Sequence, residues 1–522
     1  MTKCACLVGV DIGTSAVKAV AVRADDGSVL ASSRRATPVT RSSRLVELSA
    51  DELRRCVEAA LLELTSAIAP GASVAAVAST SFGETGAPVD ESGAVLRDPI
   101  CWQDPRSGAQ VERLVSALGA TRLDRLVGHP ADPAWGVGRI MWVREHEPHV
   151  YERMAAWLPL ADLVTLWLSG RRVTSPSLAS RQMAWDQRYH EWSSPVIQAA
   201  GLDPGKMPEV LPSGSRVGTV GREAAARTGL PAGTPVVLAG HDRQCGAFAA
   251  RGGSDTPVDS AGTAEGLLVP ASDSDDDRRI GSGISRYADV VAGRYTFAAR
   301  VGLSGGLLDW ARRTLAGTAP ELGYEQLLAG IPTPYAFTGV VATPTFGRYA
   351  SPEWATGPVP GALFGLTTSH TRADVVQALL EAPAFSVRAN LELLESWHPG
   401  RLDTVVVEGG VVRNEPWMQA RADITGRRVL AVEDENMTAV GAALLAGLGI
   451  GLYSSAAEAG ALRRPRVREW LPDPERSQRY DEAYHQLVRP LAELCRRAAA
   501  PIARFVDSET ARSETARKVP SA

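Results

Sequence analysis

Two segments of this chain are built in the same order, and that repetition constrains its architecture more than any other feature. Cys6 to Val10 is apolar, Asp11-Ile-Gly-Thr-Ser15 has the composition of a tight turn, and Val17 to Val22 is apolar again. So short a connection predicts an antiparallel pair, because a parallel pair needs a crossover. The order returns at Pro257 to Ser260, with Gly262-Thr263 as the turn and an apolar run to Val269. Two halves that each open on strand, Gly–Thr turn and strand predict a duplicated α/β fold with a cleft between the halves. A single core stops growing at roughly 250–300 residues, so a chain of 522 suits two. We expect domains at 1–250 and 251–500, followed by a disordered tail at 507–522, where Ser-Glu-Thr-Ala-Arg occurs twice in polar sequence.

Between these landmarks the pattern predicts a third strand near Val29 to Ala31. A helix follows from Ser49, an N-cap with Glu52 three residues on, to Ile68. A short buried strand is expected at Val74 to Ala78. The middle third, Leu114 to Ala226, is rich in tryptophan and in helical spacing, as at Tyr151 to Leu168. Pro235 to Ala239 reads as a strand that ends in Gly240-His241-Asp242. The second half predicts helices at Gly306 to Leu315 and Thr371 to Trp397, then a strand at Thr404 to Val407. A Gly–Gly turn and helices at Glu415 to Ile424 and Thr438 to Leu448 complete it.

Composition excludes more than it selects. A formal net charge of −4 offers nothing to nucleic acid or to an anionic membrane. No apolar run reaches 18 residues, and the N-terminal one is broken by Asp11 and Gly13, so neither a membrane span nor a signal peptide is expected. Six cysteines without ligand or framework spacing read as reduced thiols in a cytoplasm. His146-Glu-Pro-His149 pairs two histidines across a proline with no third ligand, which is poor zinc chemistry. Asp273 to Asp277 reads as a solvated turn. No G-x-x-x-x-G-K-[ST] occurs, so any phosphate site is not a P-loop.

The turn at Asp11 has chemical potential of its own. Its backbone N–H groups and the Thr14 and Ser15 hydroxyls are suited to phosphate oxygens, while Asp11 is suited to Mg²⁺ through water. An ordinary hairpin turn has the same composition. The second turn, Asp259-Ser-Ala-Gly-Thr263, favours phosphate, since two such turns across a cleft suit a polyphosphate. At Glu408-Gly409-Gly410-Val-Val-Arg-Asn414, paired glycines after a strand let the backbone approach a flat base or ribose.

These pieces, in this order, resemble the FGGY family of carbohydrate kinases over about Leu7 to Gly451. Ser79-Thr-Ser-Phe-Gly-Glu-Thr85 with Trp102-Gln-Asp-Pro-Arg106 resembles its sugar-binding stretch, and Ser175 to Ser180 with Trp185-Asp186 its lid segment. Gly305-Gly-Leu-Leu-Asp-Trp310 and Gly441 to Ala446 resemble its nucleotide half. The resemblance implies two actin-like (ribonuclease H-like) ATPase domains, ATP and Mg²⁺, a small sugar or polyol as substrate, and a homodimer as a common assembly. It implies Asp242 as the general base that takes the proton of the attacking hydroxyl. An aspartate also suits the N-cap of the following helix. Glu84, Trp102, Asp104 and Arg243 would hold the substrate, although Trp102 also suits a core and Arg106 suits pairing with a neighbouring carboxylate. Nucleotide and phosphate fall to Gly13, Thr14, Ser15, Gly262, Thr263, Gly305, Gly306, Gly409, Gly410 and Asn414, and Mg²⁺ to Asp11. Departures bear on the substrate: Gly83 precedes Glu84 where glycerol kinases carry arginine, the Met-His-Gly-like stretch of xylulose kinases is absent, and Arg243 follows Asp242 where Asn or Gln is usual. A filament- or chaperone-type ATPase would use the same turns without a base at Asp242, and a silent sugar-binding regulator would keep the pocket without turnover.

Overall fold

A computed structural model describes residues 4–42, 45–262, 264–272, 279–315, 323–332, 336–346, 360–397 and 401–502. Thr263, the Asp273 to Asp277 turn and the repeat-bearing tail lie outside the described residues. The chain divides into two compact units. The first holds residues 1–258, 268–298 and 434–466; the second holds 259–267, 299–433 and 467–522.

The first unit is built on a six-stranded sheet. Its strands are β1 (Cys4–Ile12), β2 (Ala16–Arg23), β3 (Val29–Ala36), β4 (Ala72–Ser81), β5 (Arg216–Thr219) and β6 (Pro235–His241), in the order β5-β6-β4-β1-β2-β3. The Asp11 turn joins β1 to β2 as an antiparallel hairpin with Asp11 opposite Lys18. The third strand runs on past the apolar Val29 to Ala31 through Ser33 and Arg35 to Ala36, an edge whose largely exposed polar side chains discourage further pairing. β1, β4 and β6 are mutually parallel, with Ile12 level with Ser81 and Ser81 level with His241. The loops that follow these three neighbours therefore emerge at one end of the sheet, where ligands of open parallel sheets bind.

Helix α1 (Ala50–Ala67) starts where Ser49 accepts a bond from the Glu52 N–H, and it buries Leu53, Val57, Ala60, Leu61 and Leu64 on one stripe. The predicted helix across Tyr151 to Leu168 is interrupted. Residues Ala156–Pro159 form a buried strand paired with Gly86–Val89, between a short helix ending at Arg153 and a helix beginning at Leu160. Pro159 cannot donate within a helix, and a neighbouring strand is there to pair with the run before it. Further α2 (Gly136–His146) and α3 (Asp242–Ala250) belong to this unit.

The second unit repeats the plan. β7 (Val258–Ala261), β8 (Ala264–Ser272) and β9 (Arg294–Leu303) are followed by β10 (Thr404–Glu408), β11 (Arg428–Val432) and β12 (Val467–Trp470), in the order β9-β8-β7-β10-β11-β12, and the short strand Ser285–Ala288 pairs with β9 as a seventh. Here β10-β7-β8-β9 matches β4-β1-β2-β3 of the first unit. Around this sheet lie α4 (Gly305–Thr314), α5 (Arg372–Glu395) and α6 (Glu415–Thr425). Arg421 of α6 is buried against Asp259 of β7 and Glu265 of β8, and its Nη2 lies 2.7 Å from Glu265. A helix from late in the sequence, α7 (Met437–Gly449), belongs to the first unit and packs on β1, β4, β6 and α3. Its approach requires glycine at position 9, where a Cβ would lie 1.8 Å from the Ala439 carbonyl oxygen.

One buried carboxyl in the second unit gives a stability prediction. Burial pushes Glu381 up to about 7, against the bonds donated by Gln377 and Tyr480. A folded value above the unfolded 4.5 means that its stabilisation is full below pH 4.5 and is lost as pH rises towards 7. Glu381→Gln removes that loss, so its advantage over the parent should grow with pH to about 3 kcal/mol. Denaturant unfolding at pH 5 and pH 8 measures the difference.

Candidate active site

In the first unit the site is assembled at the ends of the three parallel strands. Asp11, at the end of β1, is 4% exposed and lies 4.0 Å from the Lys18 ammonium. Beyond it Gly13 is half-buried and Thr14 and Ser15 are exposed. The turn is tied down by Gly13 N–H donating to the Ala16 carbonyl at 3.0 Å and by the Thr37 hydroxyl donating to the Gly13 carbonyl at 2.6 Å. Its hydroxyl-bearing residues thus face solvent from a fixed backbone.

The loop after β4 presents Glu84 and the end of β6 presents Asp242, with His241 between them. His241 Nε2 lies 3.5 Å from Glu84 Oε1, and its Nδ1 lies 3.0 Å from Asp242 Oδ1. Arg181 approaches Glu84 to 3.6 Å and lies over the Tyr287 ring. Asp242 sits at the first position of α3 and accepts the Arg243 N–H at 2.7 Å. Burial alone would raise its pKa, but the facing His241 imidazole and then Arg243 reverse this and hold it below the usual carboxylate range. Glu84 follows the same logic: burial opposes ionisation, and His241 and Arg181 hold it well below the usual range. Both carboxylates are therefore ionised near neutrality, and Asp242, whose side chain keeps 24% of its exposure, is open to a ligand.

Trp102 is half-buried against the first unit's core, with its backbone N–H on the Thr85 hydroxyl at 2.9 Å. Asp104 is only 1% exposed. Its carboxylate accepts from the Val46 N–H and from the backbone and guanidinium of Arg106, which also pairs with Glu47. With those acceptor positions filled from inside the protein, Asp104 braces the loop that carries Trp102. Arg139, fully buried, donates to the carbonyls of Glu84, Ala134 and Cys101 and so ties both ligand loops together. Sequence reasoning passed over Arg139 and Arg181 because nothing local marks them; His241 was visible only as the neighbour of Asp242.

In the second unit, Gly262 accepts through its carbonyl from the Gly305 N–H at 2.9 Å, which joins the turn after β7 to the first residues, Gly305 and Gly306, of α4. After β10, Gly409 adopts φ +107°, and a Cβ there would lie 2.2 Å from the Ala261 carbonyl oxygen. Gly410 faces open space. Asn414 caps α6 by accepting the Trp417 N–H at 3.1 Å, and its buried side-chain nitrogen has no hydrogen-bond partner among the described residues. Gly262, Gly305, Gly306, Gly409, Gly410 and Asn414 thus belong to one unit, whereas Gly13, Thr14 and Ser15 belong to the other. The glycine-lined backbone and the waiting amide fit a nucleotide. No group of three or more His, Cys, Asp or Glu that could hold a metal occurs among the described residues. A Mg²⁺ ion would meet a single protein carboxylate, Asp11, through water, with phosphate and water oxygens as its ligands. No helix among the described residues is long and apolar enough to cross a membrane.

Comparison with known proteins agrees with this geometry. Residues 6–249 match the N-terminal domain model of the FGGY family of carbohydrate kinases, and residues 259–450 match its C-terminal domain model. The chain is 31% identical over 407 residues to L-fuculokinase of Escherichia coli K12, covering 76% of this chain and 82% of that one. It is 29% identical over 480 residues to xylulose kinase of Bacillus subtilis 168, covering 91% and 94%. The crystal structure of xylulose kinase from Rhodospirillum rubrum superposes with a TM-score of 0.83 at 26% identity, covering 94% of this chain and 99% of that one. The repeated strand–turn–strand units, the aspartate at the end of β6 and the two matched domain models together establish that this chain belongs to the FGGY family of carbohydrate kinases.

Proposed function

We propose that this enzyme transfers the γ-phosphoryl group of ATP to a hydroxyl of a small sugar, polyol or sugar acid, with a ketose as the first candidate because the relatives above are named for fuculose and xylulose. The observation that carries the reading is the ionised, ligand-accessible Asp242 just after β6, with the half-buried Glu84 across His241 from it. The hydroxyl proton passes to Asp242 as the oxygen attacks the γ-phosphorus, the bond to the β-phosphate oxygen breaks, and ADP leaves. Such a base contributes about 10²–10⁴-fold. Glu84, Trp102 and Arg243 hold the sugar, Trp102 covering its apolar face; Asp104 acts through Arg106 on the loop. Mg²⁺, with Asp11 as its protein contact, neutralises charge on the transferring phosphoryl group when bound. The turn at Gly13 to Ser15 and the Gly262-Thr263 turn receive the phosphates, and Gly409, Gly410 and Asn414 receive the adenosine. An enzyme drawing on ATP in this way belongs in the cytoplasm, and a homodimer is part of the same reading, checked by sedimentation.

The test is ADP release from Mg-ATP across L-fuculose, D-xylulose, glycerol and D-gluconate. Strong stimulation by one compound is expected; turnover indifferent to all four and to related sugars would favour a plain ATPase. The nucleotide half has its own test. Gly409→Ala places a methyl group against the Ala261 carbonyl and forces alanine to positive φ, a strain of about 1–3 kcal/mol. Titration calorimetry with Mg-ATP should show affinity reduced at least about tenfold, the equivalent of about 1.4 kcal/mol.

A further inference from the structure

We propose that His241 is the positioning residue for the catalytic base: its imidazole clamps Asp242 by Oδ1 and leaves Oδ2 to take the proton from the acceptor hydroxyl. The inference rests on the kinase reading and adds to it a residue that does not itself meet the substrate. His241 is 3% exposed, and both of its ring nitrogens face protein carboxylates, Asp242 at 3.0 Å and Glu84 at 3.5 Å. A group so enclosed acts on its neighbours.

The backbone that carries the ring is fixed from behind. The His241 backbone N–H donates to the Ser177 hydroxyl at 3.0 Å, Ser177 donates to Gln244 Oε1 at 2.5 Å, and Gln244 donates to the Ala288 carbonyl at 2.7 Å. The ring edge packs against Gly83, where a Cβ would lie 3.0 Å from His241 Cδ2 and 2.9 Å from Arg181 Cγ. Rotating the ring by half a turn would set C–H groups against two carboxylates, so this orientation is the one that electrostatics selects. The charged groups around it are Glu84, Asp242, Arg181 and Arg243, with Arg139 reaching the Glu84 carbonyl at 3.3 Å. Glu84, itself steadied by Arg181, anchors the far edge of the ring, and the near edge then fixes Asp242. The Arg243 N–H falls on Asp242 Oδ1 at 2.7 Å and also on His241 Nδ1 at 3.3 Å, so amide, ring and carboxylate converge on the one oxygen, Oδ1. In the transfer step no proton needs to leave the imidazole. Its task is to keep the carboxylate from rotating, and the value of such orientation in catalysis is well established.

The experiment contrasts two amides. In Asn the side-chain nitrogen falls near the place of His Nδ1, and in Gln near that of Nε2. With the most stimulating sugar of the four tested and saturating Mg-ATP, His241→Gln should lower kcat about 30–100-fold with the sugar KM within about threefold. His241→Asn, which restores a donor to Asp242, should stay within about fivefold of the parent in kcat. Equal losses in both variants, or a loss confined to KM, would overturn the proposal, the latter by showing that the ring binds the sugar directly. Melting curves report whether the variants fold. Should they not, Ser177→Ala removes the bond that anchors the His241 backbone N–H, and an unchanged kcat there would overturn the proposal as well. Absence of sugar stimulation in the parent is a different failure, since it removes the kinase reading on which the proposal depends.

Discussion

Asp242→Asn is expected to lower sugar-stimulated ADP release by about 10²-fold or more, the scale of a lost general base. The substitution is nearly isosteric, and its carbonyl oxygen still accepts the Arg243 N–H that now falls on Oδ1. The folded structure and the affinity for Mg-ATP should therefore be close to those of the parent, and the loss should appear in kcat. An amide cannot take up the hydroxyl proton, so the residual rate measures positioning and charge neutralisation alone. The parent's pH profile gives a second check. Because the folded pKa of Asp242 is depressed, the active ionised form persists as pH falls through the usual carboxylate range, and activity declines only below it. A flat kcat/KM between pH 5.5 and pH 7.5 is the expected result. Full stimulation in the variant would mean that the proton goes elsewhere.

Arg421→Met should destabilise the second unit by about 3–5 kcal/mol. The arginine is 1% exposed, and the side chains of Asp259 and Glu265 are fully buried against it. Removing the guanidinium strands two carboxylates in a low-dielectric interior, where they must ionise unpaired or take up protons. Because burial alone opposes charge on Arg421 and its two carboxylates reverse that, its pKa is held above the usual arginine value. Denaturant unfolding followed separately by probes in each unit would show the early transition in the second unit. Asp259 also opens the turn that reaches Gly262, so nucleotide binding should fall with stability. Replacing all three residues by apolar ones of similar volume should recover much of the loss, as buried ion clusters often do.

What could be seen in advance depended on the range of the interaction. The Asp11 hairpin, the capped α1 and the glycines near Gly409 carry local signals: two apolar runs either side of a tight turn, a cap three residues before an acidic partner, a turn after a strand. Gly240-His-Asp242 was legible because strand, turn and carboxylate occur in one short segment. The inward turn of Asp104 was not, since its partner Val46 lies far away in sequence and only the folded loop brings them together. Arg181 and Arg139 are silent for the same reason: each acts on Glu84 from another segment. The strand at Ala156–Pro159 was read as helix because a short apolar run fits both periods, and its pairing with Gly86–Val89 decided between them.

The position of α7 has a consequence for the order of events on the ribosome. The sheet of the first unit is complete once His241 has been made, yet α7, which covers β1, β4 and β6, begins only at Met437. At about 5–20 residues per second, the residues from Val258 to Met437 take on the order of 10–40 s to synthesise. Throughout that interval the nascent sheet carries an uncovered apolar face, including the strip at Gly9 that accepts α7 so closely. A chain released at residue 250 should therefore aggregate or bind a chaperone, and supplying a peptide of residues 434–466 in trans should rescue its solubility.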